Sequence, residues 1–213
     1  KLGKKEVKKM KRLLVVALAL FMVLGFVGMA SAAPILHLEP STADLLPDES
    51  VDIEFWLDTG LEEGVDPGLT SMGLLISFDP SIAEVTNLVV PMGPGGWMGG
   101  GGYDNVAGTA NMAGMMWMDP FPPFNKYPLF GDVLLGTVTF HILPGVSACS
   151  ICSLITSDLN PAPFDNFVLE DETVWDNIIE YGSGELHVVP IPSTLLLLGT
   201  GLISFLGLSR RRI

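Results

Sequence analysis

The sequence predicts an all-β domain, a single two-sheet sandwich, held between two apolar segments at either end of the chain. Three observations carry this reading: period-two alternation of apolar and polar residues in four separate runs, Pro, Gly and Asp at the ends of those runs, and no stretch between them with a helical period. The first alternating run is Val51, Ile53, Phe55 and Leu57 against Asp52, Glu54, Trp56 and Asp58. The second sets Met72, Leu74, Ile76 and Phe78 against Gly73, Leu75 and Ser77, and Asp79-Pro80-Ser81 breaks it. In the third, Leu134, Gly136, Val138, Phe140 and Ile142 alternate with Leu135, Thr137, Thr139 and His141 before Pro144-Gly145. Leu186 and Val188, opposed to Glu185 and His187, form the fourth. Shorter apolar pieces at 35–38, 82–90, 153–156 and 167–169 fill the gaps, and many short strands separated by turn signals make a sandwich.

The N-terminal segment has the order of a secretory signal peptide: a basic run through Arg12, an apolar run from Leu13 to Met29, then Ala30-Ser31-Ala32 before Ala33-Pro34. Cleavage between Ala32 and Ala33 is expected by signal peptidase, giving a domain over residues 33–188. An uncleaved membrane anchor is the alternative reading.

Charge is segregated. Of 11 Lys and Arg, all but Lys126 lie in residues 1–12 or at Arg210, Arg211 and Arg212, whereas all but one of the 24 acids lie between Ala33 and Pro192. A body this acidic repels nucleic acid and anionic lipid and attracts cations. From Thr194 to Leu208 the chain is uncharged, and 15 helical residues reach about 23 Å, close to a bilayer core. The arginines after it belong on the cytoplasmic side, which leaves the domain outside. Val189-Pro190-Ile191-Pro192, the apolar 194–208 span and the cationic end resemble the PEP-CTERM sorting signal of Gram-negative bacteria, with Ile191 where the commonest form has Glu. The resemblance implies an exosortase-type protease as a processing partner and transient anchoring in the inner membrane before release to the surface or medium.

The pieces 50–58, 77–85 and 131–143, with Ser77-Phe78-Asp79-Pro80 and Leu-Gly-Thr-Val-Thr-Phe, resemble the cohesin-like family, related to carbohydrate-binding modules. This implies a jelly-roll sandwich and a non-catalytic binding or adhesion role, with a dockerin-like protein or a polysaccharide as partner. The alternative is an acidic, calcium-crosslinked matrix component with no specific partner. Residues 91–128 break the pattern: Pro94-Gly95-Gly96, Gly99-Gly100-Gly101-Gly102 and six Met predict a long loop inserted in the sandwich, with a return to strand from Asn111 to Met118.

Candidate functional residues follow from residue type. Trp56 stands on the polar face of its run among carboxylates, and aromatic rings stack on sugars; Trp97, Tyr103 and Trp117 join a platform if the glycine-rich loop folds over that face. A ring covered by a neighbouring loop is the plainer reading of Trp56. Calcium suits the oxygen-rich clusters Glu62, Glu63, Asp66 and Asp165, Glu170, Asp171, Glu172, Asp176. Neither cluster has EF-hand spacing, and a solvated acidic surface explains both. Cys149 and Cys152 read as a small local disulfide in an exported chain, with free thiols as the alternative. No nucleophile elbow, zinc-binding helix motif or phosphate loop occurs, so the chain carries no signal for an enzyme.

Overall fold

The computed structural model describes residues 33–118, 126–160 and 165–190. The expected N-terminal signal segment of residues 1–32, and the tail from Ile191 with Pro192, the 194–208 span and Arg210–Arg212, lie outside the described residues.

Among the described residues the elements are strands, and they form two sheets. The first, sheet A, contains β1 (Ile35–Glu39), β3 (Ser50–Asp58), β5 (Ala83–Val89), β9 (Asp132–Ile142) and β12 (Glu180–Tyr181), in the order β12-β1-β3-β9-β5. The second, sheet B, has the order β2-β13-β10-β4-β7-β6, from β2 (Thr42–Leu45), β4 (Leu69–Ser77), β6 (Trp97–Asp104), β7 (Thr109–Met118), β10 (Ile151–Asp158) and β13 (Ser183–Val188). Two short strands complete it: β8 (Lys126–Tyr127) pairs with β7, and β11 (Val168–Leu169) pairs with β4. All four alternating runs of the sequence are strands.

The inward residues of the two sheets make one core. Ile53, Phe55 and Leu57 on β3 and Val138, Phe140 and Ile142 on β9 meet Leu74 and Ile76 on β4, Leu154 on β10 and Leu186 on β13, all at most 1% exposed. Burying one such side chain contributes about 1.5–3 kcal/mol. Phe78 and Phe140 meet edge to face, with centroids 5.5 Å apart and planes at 80°.

Two expectations are corrected. In β9, Phe55 pairs with Gly136 and Trp56 with Leu134, so Leu135 is the extra residue of a β-bulge. The bulge turns Leu135 inward, fully buried, and puts Leu134 on the outer face, the reverse of what strict alternation assigns.

The second correction is larger. The expected 91–128 loop is largely the β6–β7 hairpin, with the glycine run inside β6 paired residue by residue, from Gly99 with Gly114 to Gly102 with Asn111. Close approach explains the glycines. A Cβ on Gly99 would lie 2.1 Å from the Ala113 carbonyl oxygen, and one on Gly101 would lie 2.2 Å from a Leu88 methyl of β5. The hairpin turns at Asp104, whose carboxylate accepts from the Val106 and Ala107 amides, and closes at Gly108, where φ is +67°.

Candidate functional site

The outward side chains of the two sheets differ in kind. On sheet A, cross-strand rows read His37–Trp56–Leu134, Glu39–Glu54–Thr137–Val89 and Asp52–Thr139–Asn87. This face is polar and acidic. Thr139 Oγ1 donates to Asp52 at 2.6 Å, and His141 Nδ1 lies 3.1 Å from Ser50 Oγ. Glu39 and Glu54 face each other directly, and with Asp52 and Pro40 they line a shallow cleft.

On sheet B the rows of β10, β4, β7 and β6 read Ile155–Ser77–Thr109–Asp104, Ser157–Leu75–Asn111–Gly102, and, further along, Ser71–Met115–Met98, with Gly73–Ala113–Gly100 between. Ile151 stands at the start of β10 beside His187. Apolar side chains therefore point at solvent: Ile151 is 52% exposed, Ile155 57% and Met115 54%. At about 4.8 Å between strands and ~6.7 Å between alternate residues, the face spans on the order of 14 by 20 Å. Acids stand only at its border, at Asp104, Asp158, Asp79 and Glu185. Asp79, Ser77, Phe78, Ile151, Ser153 and Ile155 enclose a groove of about 350 Å³ along that border.

Two border groups have shifted protonation. His187 Nε2 lies 2.8 Å from Glu185, and its Nδ1 lies 3.5 Å from Asp44. The hydrogen bond to Glu185, with both carboxylates beside it, raises the imidazole above its ordinary value. Asp79 is held below the usual carboxylate range because the Ser81 hydroxyl and amide both donate to it.

The four aromatic candidates are not brought together. Trp56 lies half-buried on the outer face of sheet A, its Nε1 donating to Glu54 at 2.9 Å. Trp97 lies between the sheets, fully buried, with its Nε1 donating to the Leu134 carbonyl at 3.1 Å. It is a core residue, because β6 is a strand whose first inward position it fills. Tyr103 reaches over the rim of the sandwich to the Thr86 carbonyl, and Trp117 is at the end of β7 opposite Tyr127. No shared platform exists.

Nor do the acidic clusters converge: among the described residues no three His, Cys, Asp or Glu groups meet at metal-binding distance. Asp176 instead receives the amides of Asn166 and Phe167 and the Asn166 side chain, which pins the 166–176 turn. Glu170 accepts from the Gly68 amide, Asp171 caps Thr173, Asp66 accepts from the Glu62 amide, and Glu63, Asp165 and Glu172 are exposed. The disulfide is absent as well. Cys149 is exposed in a turn with φ +69°, whereas Cys152 faces the core, where burial pushes its thiol up. The turn and the strand aim the two side chains at different environments.

The sequence reading passed over Leu75, Met98, Met115, Ile151 and Ile155. A signal for them existed. Leu74-Leu75-Ile76, Met115-Met116 and Leu154-Ile155 put apolar residues on both faces of a strand, which alternation alone does not require.

No protein family is matched by the sequence, and no curated protein is similar to it. Solved structures are. The cohesin–dockerin complex of OlpA from Clostridium thermocellum contains a chain with TM-score 0.53 and 10% identity, covering 74% of this chain and 99% of that one. The third ScaC cohesin from Acetivibrio cellulolyticus, solved with the ScaB dockerin, gives 0.52 and 15%, covering 70% and 95%. A type III cohesin module from the ScaE cell-surface anchoring scaffoldin of Ruminococcus flavefaciens gives 0.52 and 14%, covering 76% and 91%. The described domain thus has the cohesin-like β-sandwich fold.

Proposed function

We propose that this chain is a non-catalytic binding module, exported and sorted to the cell surface, that docks a dockerin-like protein through the outer face of β10, β4, β7 and β6. One observation carries the reading: in a domain with 23 carboxylates and one lysine, of the two outer sheet faces formed by the described residues this one has an uncharged, apolar interior. Exposed apolar residues that are contiguous and rimmed by charge mark protein contacts. The acidic border asks for a partner whose apolar contact surface is ringed by Lys and Arg, so association is faster and tighter at low salt. The cohesin-like fold supports the same class of partner. A polysaccharide is the weaker fit, because the aromatic residues are dispersed.

The test is photo-crosslinking in the native host from position 153 on β10 and, separately, from position 52 on β3, followed by titration of the purified partner. Crosslinking from 153 alone is expected, with Ile155→Asp weakening the purified interaction at least tenfold. Equal crosslinking from both positions, or an Ile155→Asp chain that binds as well as the parent, would overturn the docking face. Export and sorting are tested by the termini of the secreted protein, expected at Ala33 and near Pro192; a chain recovered only with Arg210–Arg212 attached in the inner membrane sinks that part.

A further inference from the structure

Each sheet has two edges, and three of the four are guarded. β12 has two residues. β2 has four and carries the exposed Asp44. β5 is bulged between Val85 and Asn87, and the Asn105 side chain closes its main chain by accepting from the Val85 amide and donating to the Val85 carbonyl. Short strands, charge and bulges are the usual devices that keep edges from pairing.

β6 is neither short nor bulged, and its one charge, Asp104, stands at its last residue, in the hairpin turn. It runs eight residues, from Trp97 to Asp104, contains no proline, and no charged residue occurs between Met92 and Tyr103. Its ladder phase is set at the start of the strand, where the Trp97 amide donates to Pro91 and the Gly96 carbonyl accepts from Trp117. Antiparallel alternation then directs the main-chain groups of Met98, Gly100 and Gly102 to β7 and those of Gly99, Gly101 and Tyr103 away from it. Among the described residues those three have no main-chain partner.

We infer that the free edge of β6 pairs with β6 of a second copy of this chain, joining two B sheets into one. The strand is self-complementary. An antiparallel register centred on Gly101 sets Gly101 against its own copy and Gly99 against Tyr103, each opposed pair exchanging two hydrogen bonds. Gly100 then stands beside Gly102 of the copy, and Asp104 beside Met98, so no carboxylate meets a carboxylate across the join. Among the described residues, charge favours a second copy at this edge over the other three edges and the outer face of sheet A, which would bring like charges together.

The test uses the full-length chain in detergent micelles, by sedimentation equilibrium and hydrogen exchange. The mass is expected to rise toward twice the monomer between about 1 μM and about 1 mM, while the Gly99, Gly101 and Tyr103 amides exchange at least tenfold more slowly and those of Gly100 and Gly102 stay constant. Added sodium chloride strengthens the dimer by screening the two acidic bodies. Gly100→Glu, at a position where an added Cβ meets nothing within 4 Å, is expected to keep the fold, as its thermal melt reports, and to stay monomeric. Ile155→Asp dimerises like the parent, so failure of the docking face and failure of this edge are told apart. A monomer at every concentration, a dimer whose three amides remain unprotected, association lost on calcium chelation, or protection that needs a different protein would each overturn the inference.

Discussion

The two outer faces of the sandwich are built by the same alternation and end as different surfaces. On β3 every outward position from Ser50 to Asp58 is polar or amphipathic, so the face of sheet A is an acidic, hydrated wall. On β10 the outward positions are Ile151, Ser153, Ile155 and Ser157, and the face of sheet B is apolar with hydroxyls between. The inward residues of both strands are interchangeable in kind. What separates the faces is confined to side chains that the core does not need, so the fold and the outer surface can vary independently.

The hardest blow to the comparison comes from the two tryptophans on either side of Leu134. Trp97→Ala empties the core beneath sheet B and leaves the Leu134 carbonyl without its indole donor, with an expected loss of about 3–5 kcal/mol in urea unfolding. Trp56→Ala removes a half-buried ring from the wall and is expected to cost about 1 kcal/mol or less. Equal losses would mean that the faces are not distinguished as described.

Adjacent glycines give the next contrast. Gly99→Ala drives a Cβ into the Ala113 backbone and should destabilise by about 1–3 kcal/mol, whereas Gly100→Ala meets open space and should be neutral or stabilise by about 0.4–1 kcal/mol. If residues 99–102 were a loop, both changes would be silent.

A smaller effect is expected on the acidic wall. Glu54→Gln relieves the direct opposition to Glu39 but weakens the bond from Trp56 Nε1, so the net gain is on the order of 0.2–1 kcal/mol, read as a higher urea midpoint. Glu185→Gln, at the border of the apolar face, should instead lower stability slightly.

The smallest effect is the pH dependence of His187. Its folded value lies above the unfolded one, near 6.5, because Glu185 and Asp44 favour the imidazolium. The stabilisation is therefore complete below about pH 6.5 and is lost as pH rises through the folded value. His187→Gln should flatten the melting temperature between pH 6 and 8, and an unchanged profile would show that the pair contributes nothing.

Strands β3, β4, β9 and β13 were legible because one of their faces is buried and the other is wet, which writes period two into the chain. Strand β7 was legible in part, as the return to strand at Asn111–Met118; strand β6 was not. After Trp97 its inward positions hold Gly99, crowded by the Ala113 backbone, and Gly101, against which β5 presses Leu88, and glycine chosen for close approach looks like glycine chosen for freedom. The bulge at Leu135 was hidden for a related reason: Val133, Leu134 and Leu135 are all apolar, so composition does not say which one turns outward. For the surface, residue chemistry picked out the rare Trp and the charged clusters, yet the proposed docking face is made of common Ile, Leu and Met whose meaning depends on which strands lie side by side. Only the order β10-β4-β7-β6 assembles them.

The last described strand has a mechanical consequence. β13 is not at an edge; β2 runs parallel to it on one side and β10 antiparallel on the other, and the Val189 amide still donates to Leu45 beyond its end. A pull applied through residue 190 runs along β13, across both rows of hydrogen bonds at once, so the bonds must give way together and not one after another. The domain is thereby braced like a riveted lap joint against a pull on residue 190, with the greatest rupture force for loads that follow the strand and a much lower one for loads that peel it sideways.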